Sequence, residues 1–341
     1  MVISAAYRFT LACLCALAMP HAGHAQTPAE FYRGKTLSLI IPNAPGGSFD
    51  LYARLTANHL GRFIPGNPSI VAQNMPGAAG MQAANYLTNI APKDGTVLSV
   101  LVPNITLAQI LGVQSIGYDT RRFNWIGRII ATTATLFTWH TSGTQTLADL
   151  KAKETMIAST GALSQANIVS TMLNGVVGTR IKLIRGYRGS GEAALGVERG
   201  EADGTLMPWE FLKSAHADWV HDKKISIVTR FVRRPIPERP DVPSVYDLAE
   251  TPEQANVLRL FLGADEMGHP IAMPPDVPRD RVEAVRNALA AMVRDPEFRN
   301  DAKRRQLDLL PGRHDELEKT VAEAFAASAA EIEIARRFFK Q

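Results

Sequence analysis

Only two cysteines occur in the 341-residue chain, Cys13 and Cys15, and both stand in an N-terminal stretch that reads as a leader. Arg8 gives it a weakly positive start, residues 11–19 are apolar with small side chains interleaved, and Pro20 breaks the run. Gly23-His24-Ala25 places small residues at the two positions a signal peptidase reads. The expectation is a secretory signal peptide cleaved after Ala25. The apolar run is far shorter than the ~20 residues a membrane-spanning helix needs. A lipoprotein leader through Cys13 or Cys15 fits worse, because Thr10 sits where a leucine is wanted. The mature chain then has no thiol, which excludes a disulfide, a thiolate metal site and a cysteine nucleophile. Nothing after residue 25 is long and apolar enough to cross a membrane.

Groupings that would mark an enzyme are also scarce. Of eight histidines, His21 and His24 leave with the leader. His59, His140, His216, His221, His269 and His314 are scattered without metal-ligand spacing, and His216 and His221, five apart, suit neither a helical nor a strand pair. No G-x-S-x-G elbow occurs. A hydrolase or lyase is therefore the distant alternative, and no catalytic residue, metal ligand or cofactor is assigned. Charge is nearly balanced, 37 basic against 33 acidic side chains, and 36 against 33 without Arg8. The short basic groups Arg233-Arg234 and Lys303-Arg304-Arg305 read as solvated faces, not a nucleic-acid surface. The weak positive excess favours anionic small molecules.

Roughly 315 residues remain after the leader, enough for a sizeable core and two domains. Short β-branched runs alternate with longer amphipathic stretches. Residues 36–41, 69–73 and 96–101 read as strands, with helices over 49–60 and 80–89 between them. The pattern restarts near 125–128, with strands at 155–159, 181–184, 204–207 and 225–229 and helices at 164–174 and 192–199. Such alternation is the signature of α/β domains with crossover helices. Four prolines make 233–243 irregular, and polar helices follow at 279–294, 296–306 and 315–339. The simplest architecture places a second α/β domain, residues 128–230, inside a first one made of 26–127 and 231–341. Two strand crossings, near Gly127 and Arg230, then form a hinge.

Four small-residue loops each follow a strand and open a helix: 43–50, 73–80, 159–167 and 186–191. Glycines let a backbone approach a ligand closely. The first turn of a helix offers unpaired N–H groups and the positive end of its dipole. The first loop, Pro45-Gly46-Gly47-Ser48, lacks the lysine and the Ser or Thr of a nucleotide P-loop, so a carboxylate or phosphate suits it better than a nucleotide. A tight turn capped by Ser48 or Asp50 is the bland alternative. Loops at the carboxyl ends of neighbouring strands face one crevice, where open α/β sheets bind ligands.

These loops resemble those of the tripartite tricarboxylate transporter substrate-binding family, the Bug receptors. The strand-PGG-x-x-D-x-x-A-R opening is matched by Pro45, Gly46, Gly47, Asp50, Ala53 and Arg54, and the N-x-P-G-A-x-G loop by Asn74, Pro76, Gly77, Ala78 and Gly80. Pro92, Asp94, Gly95 and Leu98 match a P-x-D-G-x-x-L strand entry, and Tyr187, Arg188, Gly189 and Ser190 a Y-[KR]-G-S loop. Residues 270–281 and 295–298 resemble the family's late helices, so the similarity spans nearly all of the mature chain.

The resemblance implies a type II periplasmic binding protein fold, two α/β lobes with a ligand cleft between them. It implies a monomeric periplasmic receptor, not an enzyme, that delivers a small organic acid to the membrane subunits of a tripartite carrier. Delivery to a sensor kinase is the alternative. The contacts it implies are Pro45, Gly46, Gly47, Ser48, Asp50, Asn74, Gly77, Ala78, Ala79, Thr160, Gly161 and Ser164; apart from the resemblance, Tyr187 and Trp209 are candidate aromatic walls, with packing in the core as the alternative. Asp50 would repel a bound carboxylate, so it caps the helix or accepts a bond from a ligand amine or hydroxyl. Two departures, Met207-Pro208-Trp209-Glu210 for the usual aspartate and Leu163-Ser164-Gln165-Ala166-Asn167 for a Ser-Ser-His helix start, bear on which acid is bound.

Overall fold

The computed structural model describes residues 26–161, 164–233, 235–263 and 267–339. The leader, and with it the cleavage expected after Ala25, lies outside the described residues, as do Ala162 and Leu163 of the third loop.

Two mixed sheets carry the fold. The first contains β1 (Thr36–Ile41), β2 (Ser69–Asn74), β3 (Val97–Val100), β4 (Asn124–Arg128), β10 (Pro270–Met273) and β11 (Gly312–Arg313), in the order β11-β4-β10-β3-β1-β2. β1 runs parallel to β2 and β3, whereas β10 is antiparallel to both β3 and β4. The second contains β5 (Ala134–Trp139), β6 (Thr155–Ser159), β7 (Ile181–Arg185), β8 (Gly204–Pro208) and β9 (Ile225–Arg230), in the order β7-β6-β8-β5-β9. There β6 runs parallel to β7 and β8, and β5 is antiparallel to β8 and β9. Each sheet is covered on both faces. Leu39, Ile41 and Leu98 point into one apolar cluster of the first lobe and Ile40, Val97 and Leu101 into another. This alternation is what a sheet buried on two sides requires.

Helix boundaries follow from local chemistry. Ser164 caps the Gln165–Val177 helix by accepting from the Asn167 N–H, and Gly178 ends it in the left-handed conformation. Thr251 and Gln254 form a capping box, with Pro252 at the first helical position, at the start of the Pro252–Leu262 helix. The single helix expected over 315–339 is two, His314–Phe325 and Ala329–Phe339. Ser328 and Glu331 bond reciprocally, side chain to backbone, so a capping box restarts the helix there.

The packing moves the change of lobe along the chain. Ala131 donates to the Leu310 carbonyl and Ile130 accepts from the His269 N–H, all within the first lobe. Thr133 instead accepts from the Trp209 N–H and donates to Glu210 Oε2 in the second. These bonds place Ala131 with the first lobe and Thr133 with the second. Phe231, Val245, Val257, Leu258 and Phe261 pack in one apolar cluster with Leu136, Ile157 and Leu173 of the second lobe, and Leu107, Leu111 and Ala335 join the same cluster. Met267 packs in the first lobe's cluster with Leu101 and Trp125. The expected return at residue 231 rested mostly on the resemblance to the Bug receptors. A strand end does not show which core the following apolar residues join.

Candidate ligand-binding site

The carboxyl ends of the parallel strands of both sheets open on one cleft. Its inner part is a chamber of about 120 Å³ and its mouth a cavity of about 1180 Å³. Asn43, Ala79 and Thr160 line both.

Asp50, at the start of the Ser48–Leu60 helix, anchors the first loop. Its carboxylate accepts from the Gly46 N–H at 3.0 Å, from Arg54 Nε at 3.0 Å and from Asn74 Nδ2 at 2.9 Å. Asn74 also donates to the Asn43 carbonyl and accepts from Arg54. Burial opposes ionisation of Asp50, but the bonds from Arg54, Gly46 and Asn74 outweigh it and hold the pKa below the ordinary value. Asp50 and Asn74 thus stand behind the loop and line neither cavity. The Gly46 N–H is turned towards Asp50 and does not point at the cleft as a free donor.

The second loop stores backbone strain. Ala78 (φ 45°) and Ala79 (φ 49°) sit in the left-handed region between Gly77 and Gly80, which also have positive φ. A non-glycine residue there costs of order 1–3 kcal/mol and persists only where its surroundings over-determine it. Gly77, Ala78 and Ala79 line the cleft wall.

In the second lobe, Ser164 Oγ is engaged locally, 2.7 Å from Ser159 Oγ and 2.8 Å from the Gly161 carbonyl. Ser164 and Thr160 line the chamber, whereas Gly161 lines neither cavity. Pro45, Gly46, Gly47, Gly77 and Ala78 reach the mouth, Ser48 and Ser164 the chamber, and Ala79 and Thr160 both. Tyr187 is also at the mouth, its hydroxyl 3.2 Å from Glu201 Oε2. Trp209 does not wall the ligand space. It is buried in an apolar cluster with Phe211, Leu212 and Trp219, and its Nε1 donates to Glu238 Oε2 at 3.3 Å.

No Lys, Arg, Asp or Glu lines the chamber among the described residues. Its electrostatics come from backbone. Three helices begin at its wall: Ser48–Leu60, Gln165–Val177 and Ser190–Glu198. The first and third have glycine N-caps, Gly47 and Gly189, with no side-chain cap bond. Their first N–H groups, and those of Gln165 and Ala166, lack helical acceptors. Three positive dipole ends in a space without side-chain charge favour an anion.

The sequence reading missed Asn104, Thr132, Thr205 and His269, all of which line the chamber. Asn104 follows the end of β3, so the strand-end rule that found the other loops applied to it too. His269 precedes an antiparallel strand from a distant part of the chain and gave no local signal.

No protein-family model matches the chain. It is 26% identical over 300 residues to a UPF0065 protein from the TAR-I ttuE-ttuC' intergenic region of Agrobacterium vitis, covering 85% of this chain and 79% of that protein. Among solved structures it is similar to R. palustris Rpa4515 with adipate (TM-score 0.69, 19% identity, 90% of this chain and 97% of that one). It is similar to the periplasmic binding protein BugD (TM-score 0.68, 17% identity, 91% and 98%). MatC of Rhodopseudomonas palustris with bound malate gives TM-score 0.65 at 17% identity over 89% and 99%. The resemblance to the Bug receptors read from the loops is borne out, and the chain has the two-lobed fold of the periplasmic binding proteins.

Proposed function

We propose that the protein is a periplasmic solute receptor that captures a small organic acid between its lobes and delivers it to the membrane subunits of a tripartite tricarboxylate-type carrier. The observation that carries this reading is the convergence of three helix N-termini on a chamber lined by neutral side chains. Such a site binds a carboxylate through N–H groups and dipoles, without a partner cation. The proteins of similar fold hold adipate and malate, which supports a carboxylate here. Export with cleavage after Ala25 and a monomeric receptor belong to the same proposal, as does binding without catalysis.

The test is a thermal-shift screen of residues 26–341 against adipate, malate, larger di- and tricarboxylates, aromatic acids and amino acids. A ligand at about 100 times its dissociation constant adds roughly 2.7 kcal/mol of stability and raises the melting temperature measurably. A screen in which no acid raises it at millimolar concentration overturns the reading.

A further inference from the structure

Ser48 and His269 meet on the chamber wall, from elements 221 residues apart. Ser48 Oγ lies 3.3 Å from His269 Nε2, and both residues are buried. The imidazole is held by Phe49, with ring centroids 4.0 Å apart, and edge-on by Tyr52 at 5.2 Å. Its backbone N–H donates to the Ile130 carbonyl. Nδ1, on the other side of the ring, has no hydrogen-bond partner.

The ring carries one proton. Burial lowers its pKa to about 3, and a cation is disfavoured at a helix N-terminus. With the proton on Nδ1, a buried donor has no acceptor, and the Ser48 hydroxyl must spend its hydrogen on Nε2. With the proton on Nε2, the donor is satisfied by Ser48 Oγ and the orphan is an acceptor. Buried N–H groups without acceptors are the rarer and costlier case. The second arrangement leaves the Ser48 hydrogen free to turn into the chamber.

We propose that His269 holds the Nε2–H tautomer and thereby makes Ser48 an obligate hydrogen-bond donor to the ligand. His269 is then a positioning residue for specificity. The inner end of the site takes a group that only accepts, an ionised carboxylate, over its carboxamide isostere, whose NH₂ would meet the hydroxyl hydrogen. The inference rests on the receptor reading above and narrows it to acids that enter carboxylate first.

The first test needs no ligand. Proton–nitrogen correlation of the histidine rings at neutral pH, with His269 assigned by its loss in His269→Gln, should show a protonated Nε2 and a bare Nδ1. An Nδ1–H tautomer or an imidazolium overturns the proposal. The second test is titration calorimetry with adipate and its monoamide. Ser48→Ala and His269→Leu should each weaken adipate about tenfold, the double variant little more than either, and His269→Gln, whose amide nitrogen can donate to Ser48, should restore most of the affinity. The monoamide, which enters by its remaining carboxylate, should lose about as much as adipate on Ser48→Ala. Wild-type affinity in His269→Leu, or equal loss in the Gln and Leu variants at matched melting temperature, overturns it. If wild-type protein binds neither adipate nor any acid in the screen, the receptor reading fails while the tautomer result still decides this one.

Discussion

A Cβ built on Gly47 would stand 2.7 Å from Ser190 Oγ, on the facing lobe. Gly47 has φ −89° and ψ 173°, which any residue adopts, so its lack of a side chain serves the neighbour across the cleft and not its own backbone. Gly47→Val should therefore weaken ligand binding at least tenfold, about 1.4 kcal/mol, while unfolding stays cooperative with an unchanged urea slope. The second change Ser190→Gly, which removes the opposing oxygen, should recover part of the loss. Calorimetric titration of the single and double variants checks this. Unchanged affinity in Gly47→Val removes the first loop from the site.

Asp50 tests support rather than contact. Its carboxylate ties the Gly46 N–H, Arg54 and Asn74 together behind the loop. Asp50→Ala leaves the Gly46 N–H and the Asn74 amide without this acceptor, at about 1–3 kcal/mol for a buried group left unpaired. The expected outcome is a lower urea midpoint together with weaker binding. Loss of binding with unchanged stability would instead make Asp50 a ligand contact.

Much of this was legible before the structure. β1, β6 and the Pro45–Ser48 loop follow from short β-branched runs broken by small residues, which are local signals. Ser48, Ala79, Thr160 and Ser164 were expected on the ligand side from the resemblance of their loops, and they line the chamber. Trp209 lines neither cavity, and an aromatic beside a strand end looks the same in sequence whether it faces a cleft or a core. Phe231, Val245 and Phe261 carry no mark of the core they join. His269 was invisible because its partners, Ser48, Phe49 and Ile130, lie far from it along the chain.

Acid stability should carry the signature of buried His269. Burial depresses its folded pKa to about 3 from an ordinary 6.5. Between those values the unfolded chain binds a proton that the folded one does not. The group's contribution is full above about 6.5 and is lost as pH falls towards 3. His216, also lowered by burial, adds the same sign. Asp301 is held at about 2 by bonds from His59 and Arg305. Its contribution is intact above the ordinary carboxylate value of about 4 and fades below it. The melting temperature should therefore fall between pH 7 and 4.5, and less steeply in His269→Gln than in wild type. Equal slopes in a calorimetric series at pH 7, 5.5 and 4.5 would contradict a neutral, buried imidazole.

A Cβ placed on Gly189 would lie 3.6 Å from Ala44 Cβ, so the two lobes approach each other at the mouth, and the proposed receptor admits its solute when they part. Binding then favours the closed form by no more than the difference in affinity between the two. A micromolar ligand supplies about 8 kcal/mol in all, enough to offset a closure cost of a few kcal/mol. The radius of gyration in solution should fall when a ligand identified in the screen is added at saturation. A cross-link gives the sharper test. Disulfides need Cβ atoms about 3.5–4.5 Å apart. Gly189 has an extended backbone, φ −173°, that accepts a side chain. The two native cysteines lie within the proposed leader, so Ala44→Cys with Gly189→Cys in residues 26–341 introduces the only thiols. Oxidised without ligand, this variant should bind at least a hundredfold more slowly than after reduction; oxidised with ligand, it should retain it through dialysis. Equal association rates for the oxidised and reduced forms would show that the solute enters without parting the lobes.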